Sequence, residues 1–451
     1  MKKILFLSPI GGKTNGADIS MNYQMKYLST LGYEIFLITI NPNSTEYKDF
    51  LNKYKIKHFL LDYTWWKDDS LQSEVDAVRN TLTISEIIDI INRENIDLAI
   101  TNTANIPQLA LSAAVSNIPH LWLIHEFPQG EFSYTNEKYD FINKFSNEIL
   151  AASDILAENI KLLGYNTHIS YFNPFTDVSN IKIQHMDKPT RIVSVNTING
   201  GRKNTLELIK IYEKLKLKFP KLQLLITGAI LDKQYYQTLK DYIDSKKLDN
   251  IKFLDDYDSN WSNVNELDIF VNTSSIESFS LTMIESLKLG VVMVAADNHS
   301  SKSMERLGYL TKDEIYEIGN IEEAANKVAL KIKNFGDAKN KALNIQKKVM
   351  QEQSIENITQ SLLVAIEKYT TNPQNELRYF KNQIVFSSQE LKKKNEIIET
   401  NNQTLDERLE IITEQGKVLD ERLEIITEQQ DKINRIKNNV WYRLLKKIGL
   451  I

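Results

Sequence analysis

Two glutamates eight positions apart, Glu277 and Glu285, stand out in the stretch SSIESFSLTMIESLKLG at 274–290. The polar opening followed by periodic apolar residues predicts a helix that begins near Ser280. Glu277 then belongs to the loop leading into the helix, and Glu285 lies two turns further on. The backbone N–H groups from Phe279 to Leu281, with Ser278 and Ser280 among them, would face a ligand, because the first turn of a helix leaves its donors unpaired and favours anions. A carboxylate beside such a terminus suits a ligand that carries both negative charge and hydroxyls. A sugar joined to a diphosphate has both. Read alone, two glutamates at this spacing are more often a solvated helix face.

Other groups could serve the same chemistry. Arg202 and Lys203 follow the apolar run RIVSVNTI (191–198) at the opening of the next helix. A departing diphosphate needs fixed positive charge there, because its own negative charge grows during transfer; alone, the pair is an ordinary surface pair. Gly11 and Gly12 follow the first apolar run in the loop GGKTNG. A Walker A motif would need a glycine where Leu7 stands, and the G-x-G-x-x-G pattern is not met. Alone, the loop is a tight turn. His125 ends the run HLWLI and would point into a cleft, although a single histidine is more often structural. His58, His120, His168, His185 and His299 have no comparable context. Asp256-Tyr257-Asp258 is formally a D-x-D but lacks its usual surroundings, and we read it as a loop. No His/Asp/Glu grouping has metal-ligand spacing, so neither a metal nor a cofactor is expected.

The elements that position these residues alternate regularly. Residues 2–10, 33–40, 97–103 and 120–127 read as strands with helical segments between them, the first at 18–31. The pattern restarts near 190, with strands at 191–198, 222–230, 267–273 and 291–297. Between the halves lies the polar stretch DVSNIKIQHMDKPT, with the composition of a linker. Alternation of this kind predicts parallel sheets covered by helices. Two such domains face one another across a cleft, where small-molecule sites commonly lie.

At this point the chain resembles the family-4 glycosyltransferases of the GT-B architecture. Their signature Asp-φ-φ-φ-x-x-Ser-x-x-Glu, followed by a second Glu, a Gly and a short strand, reads here as Asp268, Ser274, Glu277, Glu285, Gly290 and VVMVAAD. The resemblance covers roughly residues 1–370 and implies a retaining, metal-independent transferase. It implies that Glu277 contacts the donor sugar, Glu285 the nucleotide ribose, and Arg202 and Lys203 the diphosphate. The donor phosphate would approach Gly11 and Gly12, and His125 would lie near the transferred sugar. Departures exist: Thr197 where many relatives carry Arg, Asn204 where a Gly is usual, and Ser278 and Ser280 where glycines are common.

The whole chain is 451 residues long with a formal charge of −4, no cysteine, 15 glycines and 9 prolines. That excludes a disulfide framework, a collagen-like chain and a strongly basic nucleic-acid-coating protein. The short N-terminal apolar run is interrupted by Pro9, and no run approaches the roughly 18–20 apolar residues of a spanning helix. From about 375 the character changes. LDERLEIITEQGKV recurs as LDERLEIITEQQDK, and Leu391, Ile398, Leu405, Leu409, Ile412, Leu419, Leu423, Ile426 and Ile433 form a coiled-coil seam. Asn395, Asn402, Gly416 and Gln430 fill the remaining seam slots. The last twenty residues carry six basic groups and no acid. With Trp441, Tyr442, Leu444, Leu445, Ile448 and Leu450 they could lie on an anionic bilayer.

The resulting expectation is an α/β GT-B protein: two facing Rossmann-like domains, acceptor-side at 1–180 and nucleotide-sugar at 188–354. A crossover helix at 355–374, a coiled coil at 375–437 and a basic amphipathic tail at 438–451 follow. Resemblance and tail together imply a cytoplasmic homo-oligomer at the inner face of the cell membrane. It would take a nucleotide sugar and a glycan or lipid-linked acceptor in bacterial surface-polysaccharide synthesis. A catalytically degenerate scaffold and a nucleotide-sugar epimerase are the competing readings.

Overall fold

The computed structural model describes residues 1–12, 15–40, 44–66, 73–164, 168–183, 191–255, 260–371 and 378–450. Lys13 and Thr14 of the glycine loop, His185 and the Asp256-Tyr257-Asp258 triplet lie outside the described residues, as do the side chains of Leu391 and Asn395. Residues 1–381 form one compact unit and 382–451 a second.

The first unit contains two parallel sheets. Strands β1 (Lys3–Leu7), β2 (Glu34–Thr39), β3 (Lys57–Leu60), β4 (Leu98–Thr101), β5 (His120–Ile124), β6 (Glu148–Ala151) and β7 (His168–Tyr171) are ordered β3-β2-β1-β4-β5-β6-β7. Strands β8 (Arg191–Val195), β9 (Gln223–Thr227), β10 (Ile251–Leu254), β11 (Ile269–Asn272), β12 (Val292–Ala296) and β13 (Ile315–Tyr316) are ordered β10-β9-β8-β11-β12-β13. Ile4 pairs with both Ile35 and Leu98, and Ile192 with both Leu224 and Ile269. Both strand orders reverse direction beside the first strand of their sheet. Open α/β sheets bind ligands outside the carboxyl ends of the strands at such points. Every residue of the candidate site described below follows a strand end.

The central strands are continuous apolar runs because helices cover both faces. Ile4, Leu5, Phe6 and Leu7 are fully buried, as are Leu121, Trp122, Leu123 and Ile124. β3 and β7 were not singled out in the sequence because they are edge strands, KHFL and HISY, half open to solvent and without an apolar run. The helix Ile355–Thr371 follows the second sheet in the chain but packs on the first domain. Tyr369 donates to the Asn147 carbonyl at 2.8 Å, and Glu367 accepts from Tyr33 at 2.6 Å and from Lys2 at 2.9 Å.

The second unit is dominated by one helix, Arg378–Asn438, followed by a short one, Val440–Lys447. Leu405, Leu409, Ile412, Leu419, Leu423, Ile426 and Ile433 are all exposed along the long helix. Among the described residues, no helix is long and apolar enough to cross a membrane.

Candidate active site

The second domain's wall of the cleft begins where β8 ends. The chain turns through Gly200, whose φ is +88°, and a short 3₁₀ turn, Gly201–Lys203, closed by Asn204 in the left-handed region. That conformation is one asparagine tolerates. The loop after β11 clasps this turn: Ser275 N–H donates to the Arg202 carbonyl at 2.9 Å and the Thr273 hydroxyl to the Lys203 carbonyl at 3.0 Å. With both carbonyls held, the two cationic side chains reach Glu277. The Lys203 ammonium contacts one carboxylate oxygen, and Arg202 Nη1 lies 3.3 Å from the other. Burial pushes the Glu277 carboxyl up, but the Lys203 and Arg202 charges outweigh it and hold the group below its ordinary value. Glu277 therefore stays ionised although it is buried, and the net charge of the trio is positive.

The helix predicted from Ser280 spans Leu281–Lys288, with Ser280 as its N-cap and the Ser280 hydroxyl accepting from Met283 N–H. One expectation needs correction here. The Ser280 N–H does not face a ligand; it donates to the Ser300 hydroxyl at 2.8 Å. Ser300 is fully buried in the first turn of the helix His299–Arg306, and a buried hydroxyl takes the nearest available donor. Phe279 likewise turns its ring into the core beside Trp261 and Met283. The N–H groups of Leu281 and Thr282 have no partner among the described residues. Glu285 accepts from the Thr176 hydroxyl and from Trp261 Nε1–H, both at 2.7 Å, and burial raises its carboxyl above the usual value.

The first domain supplies a different wall. His125 follows β5, as expected. The Asn102 amide donates to the Ala17 carbonyl at 3.1 Å, so its oxygen accepts from His125 Nε2 at 2.8 Å. This places the proton on Nε2 and leaves Nδ1 as an acceptor. Burial pushes His125 down to about 3, so the ring is neutral. The next residue, Glu126, went unnoticed in the sequence. It is buried and accepts from the Thr103 hydroxyl, Ala104 N–H at 3.0 Å, Asn105 Nδ2 at 3.1 Å and His125 N–H at 3.1 Å.

The structure brings His125, Arg202, Lys203, Glu277, Ser278, Phe279, Ser280, Leu281 and Glu285 onto one cleft enclosing about 500 Å³. That volume falls within the roughly 300–1,000 Å³ range of small-molecule sites. Gly11 and Gly12 do not line it. Both have positive φ, but Gly11 N–H donates to Asp18 and the Gly12 carbonyl accepts from Asn22, which holds them buried against the helix Gly16–Thr30. The close approach is made by Gly16, where an added Cβ would lie 3.2 Å from Leu281 of the other domain. Contacts across the cleft include Ser278, whose hydroxyl donates to the His125 carbonyl, and His299, which stacks on Phe127 with ring centroids 3.7 Å apart. His299 had no local sequence signal, because its partner is 172 positions away.

Comparison with known proteins matches residues 177–348 to the model for the family described as glycosyl transferases group 1. Compared by sequence with curated proteins, the chain matches none. Solved structures share the fold. A glycosyltransferase from Rickettsia africae is 18% identical with a TM-score of 0.65, over 83% of this chain and 99% of that one. A Staphylococcus aureus TarM mutant, in complex with fondaparinux, alpha-GlcNAc-glycerol and UDP, is 13% identical with a TM-score of 0.63, over 81% of this chain and 99% of that one. A sucrose-phosphate synthase from Thermosynechococcus elongatus is 12% identical with a TM-score of 0.61, over 82% of this chain and 99% of that one. The body of this chain therefore has the GT-B fold, and its second half carries a segment that matches the glycosyl transferases group 1 model.

Proposed function

We propose that the cleft moves a glycosyl group from a nucleoside diphosphate sugar to a hydroxyl of a growing glycan or glycolipid, with retention of configuration. The observation that carries this reading is the buried Glu277 held by the partly buried Lys203 and Arg202, set opposite a neutral His125. Lys203 and Arg202, with the Leu281 and Thr282 amides, hold the diphosphate as its charge grows. Glu277 accepts from hydroxyls of the transferred sugar, and Glu285 from the ribose. His125 Nδ1 accepts from the sugar on the other side.

In the step proposed, the bond from the sugar's anomeric carbon to the phosphate oxygen breaks. The acceptor oxygen bonds to that carbon on the same face, and the acceptor's proton passes to the leaving phosphate. A carboxylate held by two cations is a poor nucleophile, which favours this route over a glycosyl-enzyme formed at Glu277. The two side-chain cations carry the charge neutralisation, so the reading includes no metal. The TarM structure, described with UDP and alpha-GlcNAc-glycerol, offers a precedent for this class of substrate on this fold.

The reading also includes self-association through the seam of the helix Arg378–Asn438. The location proposed is cytoplasmic, at the inner face of the cell membrane, in surface-polysaccharide synthesis.

The test is nucleoside diphosphate release from UDP-, GDP- and dTDP-sugars by wild type and Glu277→Ala. Release from one donor that the variant abolishes is the expected result. Release that Glu277→Ala leaves intact would overturn the site assignment. Folded protein that neither turns over any donor nor gains thermal stability from one would favour a scaffold.

A further inference from the structure

We infer that the helix Val440–Lys447 is a foot for an anionic lipid surface, and that its grip depends on several copies gathered by the long helix before it. The inference rests on the self-association proposed above and is independent of the glycosyl-transfer reading.

The helix does not run straight into the tail. At Asn439 the backbone is extended, with φ −62° and ψ 135°, and the Asn439 side chain accepts from Trp441 N–H at 2.9 Å. Asn439 thus starts a new helix, joined to the long one by Arg443, whose guanidinium donates to the Asn438 side-chain oxygen at 2.9 Å. At about 100° per residue, Val440, Trp441, Leu444, Leu445 and Ile448 share one face, and Lys446, Arg443 and Lys447 take up the flank beyond it, with Lys447 bordering Val440. All five apolar residues are exposed, Trp441 at 74% and Val440 at 69%. No acidic residue follows Asp431, whereas Lys432, Arg435, Lys437, Arg443, Lys446 and Lys447 do.

An anionic bilayer complements face and flank at once: headgroups for the cations, the acyl boundary for the apolar residues, and the interface for Trp441. A nucleic acid would satisfy the charges but leave the apolar face in water. Each basic residue near an anionic leaflet strengthens binding by roughly five-fold, and salt weakens it.

A single short helix holds weakly, because stable membrane attachment generally takes two signals. The second signal is multiplicity. In the fourteen-residue repeat, the heptads with an apolar a position have Leu409 and Leu423 at a and Ile412 and Ile426 at d, while the alternate heptads have Gly416 and Gln430 at a and Leu419 and Ile433 at d. Leucine at a with isoleucine at d shifts coiled coils toward three or four strands. Identical helices in parallel register bring every Val440–Lys447 helix to one end, and linked weak contacts gain about 10²–10⁴-fold in apparent affinity.

The experiment is co-sedimentation of the full-length protein with sucrose-loaded vesicles, either phosphatidylcholine alone or one-third phosphatidylglycerol. Sedimentation velocity is run on the same samples. Wild type is expected to be larger than a dimer, to bind the anionic vesicles only, and to release at high salt. Trp441→Ser with Leu444→Ser should abolish binding without changing oligomer size. Leu409→Asp with Leu423→Asp, which leaves the tail untouched, should give monomers that bind about 100-fold more weakly. Replacing residues 396–431 by an unrelated three-stranded coiled coil should restore binding, which separates loss of multiplicity from loss of local folding.

An oligomeric wild type that ignores anionic vesicles, or binds neutral ones equally, would overturn the lipid foot. A monomeric wild type that binds tightly would overturn the dependence on multiplicity, and with it the association reading. Binding of an oligonucleotide in place of vesicles would overturn the choice of partner.

Discussion

Glu126 and Glu277 line the same cleft from opposite domains, both buried, and the two carboxyls move in opposite directions. Burial is the largest influence on each and pushes both upward. Around Glu126 the donors are a hydroxyl, a side-chain amide and backbone N–H groups, and the carboxyl ends above its ordinary value. Around Glu277 stand an ammonium and a guanidinium, and it ends below. Neutral donors satisfy a buried carboxylate, whereas a full opposite charge can reverse the cost of its desolvation. The contrast extends to the walls. The first domain offers a neutral imidazole and amides, suited to hydroxyls; the second offers fixed charge, suited to a diphosphate.

The largest effect that should break this contrast is Glu277→Gln. We expect turnover to fall about 10²–10³-fold, while the liberated cations bind nucleoside diphosphate several-fold more tightly in calorimetry. Weaker diphosphate binding would show that the carboxylate does not compete for Lys203 and Arg202. Next comes Lys203→Met, which leaves Glu277 buried with one cation fewer. A stability loss of about 3 kcal/mol in urea unfolding is expected, together with an acidic limb of the activity profile moved to higher pH. An unmoved limb would detach Glu277 from that limb.

The first domain's neutrality is tested by acid. His120 is fully buried, accepts no charge partner, and is pushed from 6.5 down to about 3; His125 is pushed down similarly. A base with a depressed folded-state value binds fewer protons folded than unfolded. Its contribution is complete above 6.5 and shrinks as pH falls toward 3. Two pH units below 6.5, His120 alone should account for roughly 2–3 kcal/mol. The variant His120→Gln should flatten the fall in urea-derived stability over that range. Glu314 in the second domain, held near 2 despite burial by Lys331, Lys341 and Thr311, keeps its contribution until lower pH.

The smallest expected effect is at Gly228. An added Cβ would lie 2.3 Å from the Asn196 carbonyl oxygen, at φ +141°. Gly228→Ala should cost about 1–2 kcal/mol and raise KM for the donor, since the displaced segment leads into Arg202 and Lys203. An unchanged KM would separate this turn from donor binding.

How much of this was legible along the chain varies with distance. Ser280 as the helix start, the placement of Glu277 in the loop, and the turn carrying Arg202 and Lys203 were readable, because capping and strand-end signals act over a few residues. Glu126 was not. Three of its four donors lie 21 to 23 positions earlier and become neighbours only because β4 pairs with β5. Ser300 took the Ser280 N–H for the same reason, being 20 positions away and buried beside it. The glycine pair was visible, but its burial against the helix Gly16–Thr30 depends on Asp18 and Asn22.

Apolar periodicity by itself determined two parallel-sheet domains and a long amphipathic helix, because burial on both faces or on one stripe leaves its period in the chain. It also determined which loops would carry the charged groups. Only the tertiary structure decided which charges meet: Lys203 and Arg202 reach Glu277 from more than 70 positions away. The ionisation of a buried group depends on neighbours within a few ångströms, and folding alone chooses those neighbours.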